Sequence, residues 1–259
     1  MLKEWKDNAD KQTILDKITL SDEEIQKIFQ AGNLSRDVQY KLHQLLKVLM
    51  KPLAIRSSGL LEDSQSQPFA GIYKTYMIPN NNASLKERHN ELMNAVKLVF
   101  SSVFLKSARQ YIRSINFKVE DEKMAVIIQE VVGSNFDDLY YPHISGVAQS
   151  YNYYPTAHLK NKDGIATIAV GLGKAVVDGE TNYIFCPIYP KLSIISTEKM
   201  IKSSQKELYA LNLSPKDNSN SFEEDGVSKI KIRKLRNNGS LANLASIWDY
   251  ENDILKMVD

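Results

Sequence analysis

The apolar period of this chain changes at a proline. Before it, Val38, Leu42, Leu45, Leu46 and Leu49 recur at three and four residues, the spacing of one buried helix face. After Pro52, "LAIRSS" is a short apolar burst and "GIYKTYMIP" alternates, which predicts two strands around a loop at 57–70. Proline has no amide hydrogen and a fixed φ, so it ends the helix where the period changes. A chain with both periods must lay helices on a sheet, and the fold class expected is α/β (α+β).

Further elements follow from local signals. Ser21 stands three residues before Glu24 as a capping box, Ser35 can cap the next helix, and Ser84 with Glu87 forms a second box. From there Leu92, Ala95, Val96, Val99, Phe100 and Val103 mark a long amphipathic helix, with "SARQYIR" expected to finish it. "EKMAVIIQEVVG" is rich in β-branched residues between charge and glycine, the clearest strand in the chain. Residues 133–163 are aromatic and loop-rich, and "GIATIAVGLGKAVVDGETNYIFCPIYP" brings extended segments around a glycine-punctuated turn. The expected organisation is a helical lead at 1–51, a first lobe at 52–132 and a second at 133–259.

Composition excludes more than it assigns. At 43% hydrophobic and 25% charged residues, the 259-residue chain can bury a core, and a net charge of +2 provides no large field for nucleic acid or anionic membrane. The alternating "KIKIRKLR" accordingly reads as a solvent-facing strand with protective lysines, and nucleic acid is not an expected partner. A single cysteine, Cys186, rules out an intrachain disulfide framework. No run of about 18 apolar residues is present to span a bilayer, so no membrane partner is expected and the location expected is cytoplasmic.

The segment "LAIRSSGLLEDSQSQPFAGIYKTY" carries the chemistry. Arg56 can offer two parallel hydrogen bonds to a phosphate, and the serines after it add hydroxyl and amide donors. Gly71 lets backbone approach a phosphate without a Cβ, and Thr75 brings a hydroxyl four residues on. On chemistry alone Arg56 is equally a structural ion-pair partner, with Glu62 or Asp63 as its nearest candidates, and Gly71 equally a turn or bulge glycine.

These residues resemble the signature of the nucleotide-binding domain of the phosphoenolpyruvate synthase and pyruvate phosphate dikinase family: apolar-R-S-S, an acidic loop, F-A-G, then T-Y. Three more matches keep the family's order across residues 53–179. "SARQYIR" is similar to its arginine-ended helix, "MAVIIQEVV" to its M-A-V-V-V-Q strand, and "ISGVA" with "GLGKAVVDG" to its S-G-V and G-L-G-E-x-V-x-x-G segments.

The resemblance implies an ATP-grasp-like fold with mixed or antiparallel sheets, ATP lying between two lobes. It implies that Arg56, Gly71 and Thr75 contact phosphates. Arg109 and Arg113, four apart on one helix face, would point to the polyphosphate. Gln129 would sit by the adenine, with the backbone of Glu130 and Val131 reading its edge. For Gly171, Gly173 and Gly179 a turn-forming role is expected ahead of ligand contact.

Lys174 stands where the family has glutamate. The early K-G-x-N-L segment has only "QAGNLSRD" in its place, and neither the later glutamate with Q-x-R nor the T-S-H segment of the phosphorylated histidine is found. His43, His89, His143 and His158 lack that setting, and the tyrosines at 140, 141, 151, 153 and 154 are expected to pack within a lobe. The chain is therefore expected to be a piece of a longer phosphotransferase, with phosphohistidine and pyruvate-binding domains as partners. ATP and Mg²⁺ would be its cofactors, most metal ligands lying elsewhere, and the piece alone would have little or no activity. The alternative from another class is a non-catalytic nucleotide-sensing or scaffold module.

Overall fold

The computed structural model describes residues 20–62, 71–115, 122–156, 158–180, 182–190, 192, 197–214, 226–235, 246–249, 251–252 and 254–257. The charged N-terminal stretch, most of the acidic loop with Asp63, and most of the polar 212–226 connection lie outside these. The chain forms two compact units, Met1–Val131 with Pro215–Gly226, and Val132–Ser214 with Val227–Asp259.

In the first unit the expected caps set the helix starts. α1 (Asp22–Ala31) opens on a complete capping box: Glu24 N donates to Ser21 Oγ at 3.2 Å and Ser21 N donates to Glu24 Oε2 at 2.8 Å. α2 (Arg36–Val48) starts at Ser35, which accepts from Val38 N, and buries Leu42 and Leu46. The second box is only half formed. Glu87 N donates to Ser84 Oγ at the start of α3 (Leu85–Ser101), but the Ser84 amide turns back to Asn82 Oδ1 at 2.8 Å.

The long helix expected to run on through "SARQYIR" breaks. A 3₁₀ turn at Ser102–Phe104 separates α3 from α4 (Lys106–Ser114). Ser101 and Ser102 donate their hydroxyls to the Leu98 and Val99 carbonyls, competing with the helical ladder at the point of the break. Asp22 of α1 then receives the first amide of α4, from Lys106, at 2.8 Å.

β1 (Leu53–Gly59) is the centre of a sheet of order β2-β1-β3, with β2 (Tyr76–Ile78) and β3 (Met124–Glu130) both antiparallel to it. The expected strand at 71–79 shrinks to three residues because Gly71 lies in a turn and the chain bends at Ile72 and Tyr73. Leu53, Ile55, Tyr76, Ile78 and Met124 join Leu46, Leu92, Val99, Ala108 and Ile112 in one core. Burial of that apolar surface is what fixes the sheet's inner side.

Two buried cations, absent from the sequence reading, tie the helices together. The Arg88 guanidinium donates to the Leu46 and Leu49 carbonyls at 2.8 and 2.7 Å and to Asn80 Oδ1 at 2.8 Å. Lys97 donates to the Gln30 carbonyl at 2.9 Å, and burial lowers its affinity for a proton. From α3 each side chain reaches the C-terminus of another helix, where positive charge meets unsatisfied carbonyls.

The second unit holds a four-stranded sheet of order β10-β9-β5-β4 and a three-stranded sheet of order β6-β7-β8, both antiparallel. Their strands are β4 (Ser134–Phe136), β5 (Leu139–Tyr141), β6 (Ile144–Gln149), β7 (Ile165–Val170), β8 (Tyr183–Phe185), β9 (Glu207–Asn212) and β10 (Val227–Lys231). A one-turn helix, α5 (Lys174–Val177), follows β7, then α6 (Thr197–Lys202), and β11 (Ser246–Asp249) pairs with β12 (Ile254–Met257).

Of the five tyrosines expected to pack within a lobe, Tyr140 and Tyr141 do so from β5. Tyr151, Tyr153 and Tyr154 are exposed instead, on a loop pinned by Asn152 N donating to the Asn161 carbonyl at 2.7 Å. No helix among the described residues is long and apolar enough to cross a membrane.

Candidate functional site

Alternation along β1 separates the residues after Pro52 into two sets. Leu53 and Ile55 are fully buried on the inner side, whereas Arg56 is exposed on the outer one. Register supplies Arg56 with a neighbour 73 residues away: Ala54 lies opposite Gln129 and Arg56 opposite Ile127, so all four share the outer side. There Arg56 Nη1 donates a long hydrogen bond to Gln129 Oε1 at 3.4 Å. On the other edge Ile55 pairs with Tyr76, and one step further along the same register Thr75 falls in line with Arg56. Arg56 and Gln129 are thus brought to one side of one sheet, and Thr75 stands just outside it, before the first residue of β2.

The ion pair considered for Arg56 does not form among the described residues. Glu62 turns inward, accepting from Ser57 Oγ at 3.0 Å and from Gly59 N at 2.8 Å. A second carboxylate, Glu122, accepts from Leu60 N at 2.6 Å and is 4% exposed. Burial and this carboxylate together push the Tyr73 hydroxyl well above its ordinary pKa. Sequence gave no hint of Glu122, which sits in a run of charges, "VEDEK", that reads as solvent-facing. With Glu62 engaged elsewhere, Arg56 has no carboxylate partner among the described residues; Asp63, the other candidate, lies outside them.

Gly71 has φ +80, and a Cβ there would meet nothing within 4 Å. Backbone conformation rather than crowding is what demands glycine. At the far end of β3 the expected pairing with an adenine edge divides. Val131 N donates to the Pro52 carbonyl at 2.8 Å, so Val131 is not the free amide that the purine edge would need. That bond makes Leu53 and Glu130 a non-hydrogen-bonded pair, which turns the Glu130 main-chain amide and carbonyl toward the open edge of β3.

Arg109 is half-buried on α4 and its Nη2 donates to the Leu20 carbonyl at 3.4 Å; Arg113, one turn on, is exposed. No polar contact among the described residues joins either arginine to Arg56.

In the second unit the glycine segment is internally engaged. Gly171 has φ +88, and a Cβ would lie 2.8 Å from the Tyr209 carbonyl oxygen. Lys174 Nζ stands 5.6 Å from the Tyr209 ring centroid and Lys229 Nζ 5.3 Å. The Tyr209 hydroxyl donates to Glu180 Oε1 at 2.6 Å, and Lys229 pairs with Glu180 at 2.9 Å and Glu207 at 3.6 Å. The tyrosine hydroxyl, then Lys229, hold the Glu180 carboxyl below its ordinary pKa. Of the histidines, His43 and His89 meet edge to face across α2 and α3, and His143 packs on Phe136.

Among known proteins, the model of the pyruvate phosphate dikinase AMP/ATP-binding domain matches residues 3–244. A phosphoenolpyruvate synthase of Aeropyrum pernix is 27% identical over 197 residues, 76% of this chain and 20% of that protein. An uncharacterized phosphotransferase of Bacillus subtilis, YvkC, is 29% identical over 134 residues, 52% of this chain and 14% of that protein. The chain therefore spans a fifth or less of these relatives' own length. With β1 carrying "IRSS", β3 carrying "MAVIIQ" and a family match over nearly its whole length, the chain belongs to the pyruvate phosphate dikinase AMP/ATP-binding domain family, whose fold is ATP-grasp-like.

Proposed function

We propose that the outer side of the β2-β1-β3 sheet holds ATP, with Arg56 as the principal phosphate ligand. The observation that carries this is an exposed guanidinium on a central strand whose polar partner among the described residues is a neutral amide, Gln129. A cation so placed is prepared for a polyphosphate, and its planar donors suit paired phosphate oxygens. Gly71 would let the turn before β2 approach the phosphates, and Thr75 would add a hydroxyl. Gln129 and the outward carbonyl and amide of Glu130 would meet the purine, with Val131, buried and with its amide on Pro52, holding the end of β3 in place. Arg109 and Arg113 are assigned lesser parts at the polyphosphate, Arg113 the more accessible.

Among the described residues no three His, Cys, Asp or Glu side chains cluster to hold a metal. These residues do not form a Mg²⁺ cage, and in this proposal the ion arrives with ATP. In a longer protein the domain would supply ATP for phosphoryl transfer to a histidine and on to pyruvate, giving phosphoenolpyruvate. Such transfer depends mainly on positioning and on charge neutralisation, the tasks of the arginines named here. Phosphohistidine and pyruvate-binding domains would be its partners. Lys174, in place of the family's glutamate, favours a second reading in which the unit senses nucleotide without passing it on.

Calorimetric titration of Mg-ATP into the chain and into Arg56→Ala is the test. Saturable binding that weakens at least about tenfold in the variant is expected, as for a hydrogen-bonded charge pair. Equal affinity in the two proteins would remove Arg56 from the site. Transfer of phosphate from labelled ATP to a separately supplied phosphohistidine domain would separate the enzyme from the sensor.

A further inference from the structure

We propose that Ser58 is a further phosphate ligand of this site, a part that Ser57 beside it does not take; the inference rests on the assignment of Arg56 to the ATP phosphates. The two serines follow Arg56 directly, and a strand turns neighbours to opposite sides. Ser57 points inward, where its hydroxyl donates to Glu62 Oε1 at 3.0 Å. The crowding at Gly59 identifies that side as the interior: a Cβ there would come within 2.7 Å of the Tyr73 ring and 2.8 Å of Glu122 Oε1. Ser58 therefore lies on the outer side with Ala54 and Arg56. It is half-buried, and among the described residues its hydroxyl has no hydrogen-bond partner.

A partly exposed hydroxyl on the side of the sheet that presents an available guanidinium can donate to the same anion. Ser58 and Arg56 are two residues apart, about 7 Å along a strand. The long arginine side chain spans that separation, so both groups can reach one polyphosphate. Glu62 acts here as a positioning residue. By holding the Ser57 hydroxyl and the Gly59 amide with its two oxygens, it fixes the exit of β1 so that Ser58 stays on the outer side.

The test is calorimetric titration of Mg-ATP and of adenosine into wild type, Arg56→Ala, Ser57→Ala, Ser58→Ala and Ser58→Thr. Ser58→Ala should weaken ATP about tenfold while leaving adenosine within about twofold, as for one hydrogen bond to a charged oxygen. Ser58→Thr, which keeps the hydroxyl, should recover most of that loss. Ser57→Ala should lower the melting temperature while ATP affinity stays within about twofold.

If Arg56→Ala loses ATP and Ser58→Ala does not, the serine is excluded and the site stands. If neither variant loses ATP, the site itself is misassigned and the serine falls with it. Equal losses for ATP and adenosine in Ser58→Ala would mean a structural role and would also overturn the proposal. Should the alanine variant fail to fold, Ser58→Cys, close in volume and a weak donor, is read by the same ATP-to-adenosine ratio.

Discussion

The "IRSSG" strand of the first unit and the "GLGKAVVDG" turn of the second are both family segments with a basic residue near glycine, yet the surroundings of those residues differ. Arg56 faces a neutral amide and has no carboxylate partner among the described residues. In the second unit Lys174 and Lys229 flank the Tyr209 ring, and Lys229 is paired with Glu180 and Glu207. A basic residue serves as a ligand group when the fold has not already supplied its counter-charge. By that criterion the proposed nucleotide contact falls to the first segment and an architectural part to the second.

Substitutions at two of the positive-φ glycines, Gly171 and Gly71, and at Arg56 test the contrast most strongly. Gly171→Ala would force a Cβ against the Tyr209 carbonyl oxygen in addition to the strain of φ +88, and should cost about 3 kcal/mol by denaturant unfolding. A loss under about 1 kcal/mol would show the turn to be yielding and the segment less architectural than described. Arg56→Ala comes next, at about 1.4 kcal/mol or more of ATP affinity with little change in stability. A drop in melting temperature as large as that of Gly171→Ala would return Arg56 to a structural role. Gly71→Ala, in open space, should cost only the backbone term, about 1 kcal/mol.

The smallest effect is expected at Glu180. Its pKa is lowered in the folded state, so its contribution is present above the ordinary carboxylate range and is lost as pH falls through the folded value. Wild type should melt above Glu180→Gln near neutrality, and the gap should close in acid. A gap constant with pH would show that the lysine and tyrosine contacts are not electrostatic. Lys174→Glu sharpens the same point, because restoring the family's charge beside Glu180 should lower stability slightly through like-charge repulsion.

Much of the frame was legible in the sequence because it depends on neighbours in the chain. The capping box at Ser21 and Glu24, the helix ending before Pro52 and the β-branched "MAVIIQE" strand all rest on local backbone preference. The break at Ser102 and the half-formed box at Ser84 were not legible, because each depends on which competing hydrogen bond wins. The buried Arg88 and Lys97 carry no local signal, because the carbonyls that they meet are the C-termini of α2 and α1, far along the chain.

For the candidate site, sequence by itself determined the residue types and their order: an arginine, two serines, a glycine and a threonine in one stretch, with a glutamine 73 residues beyond Arg56. Only the tertiary structure decided their sides. Alternation guarantees that Ser57 and Ser58 point oppositely, but it does not say which is inside. That choice was made when the helices covered the Leu53 and Ile55 side of the sheet, because burying that apolar surface leaves Arg56 and Ser58 on the other. Pairing with β3 then set Gln129 beside Arg56 and engaged the Val131 amide, both consequences of register that no short window of sequence contains.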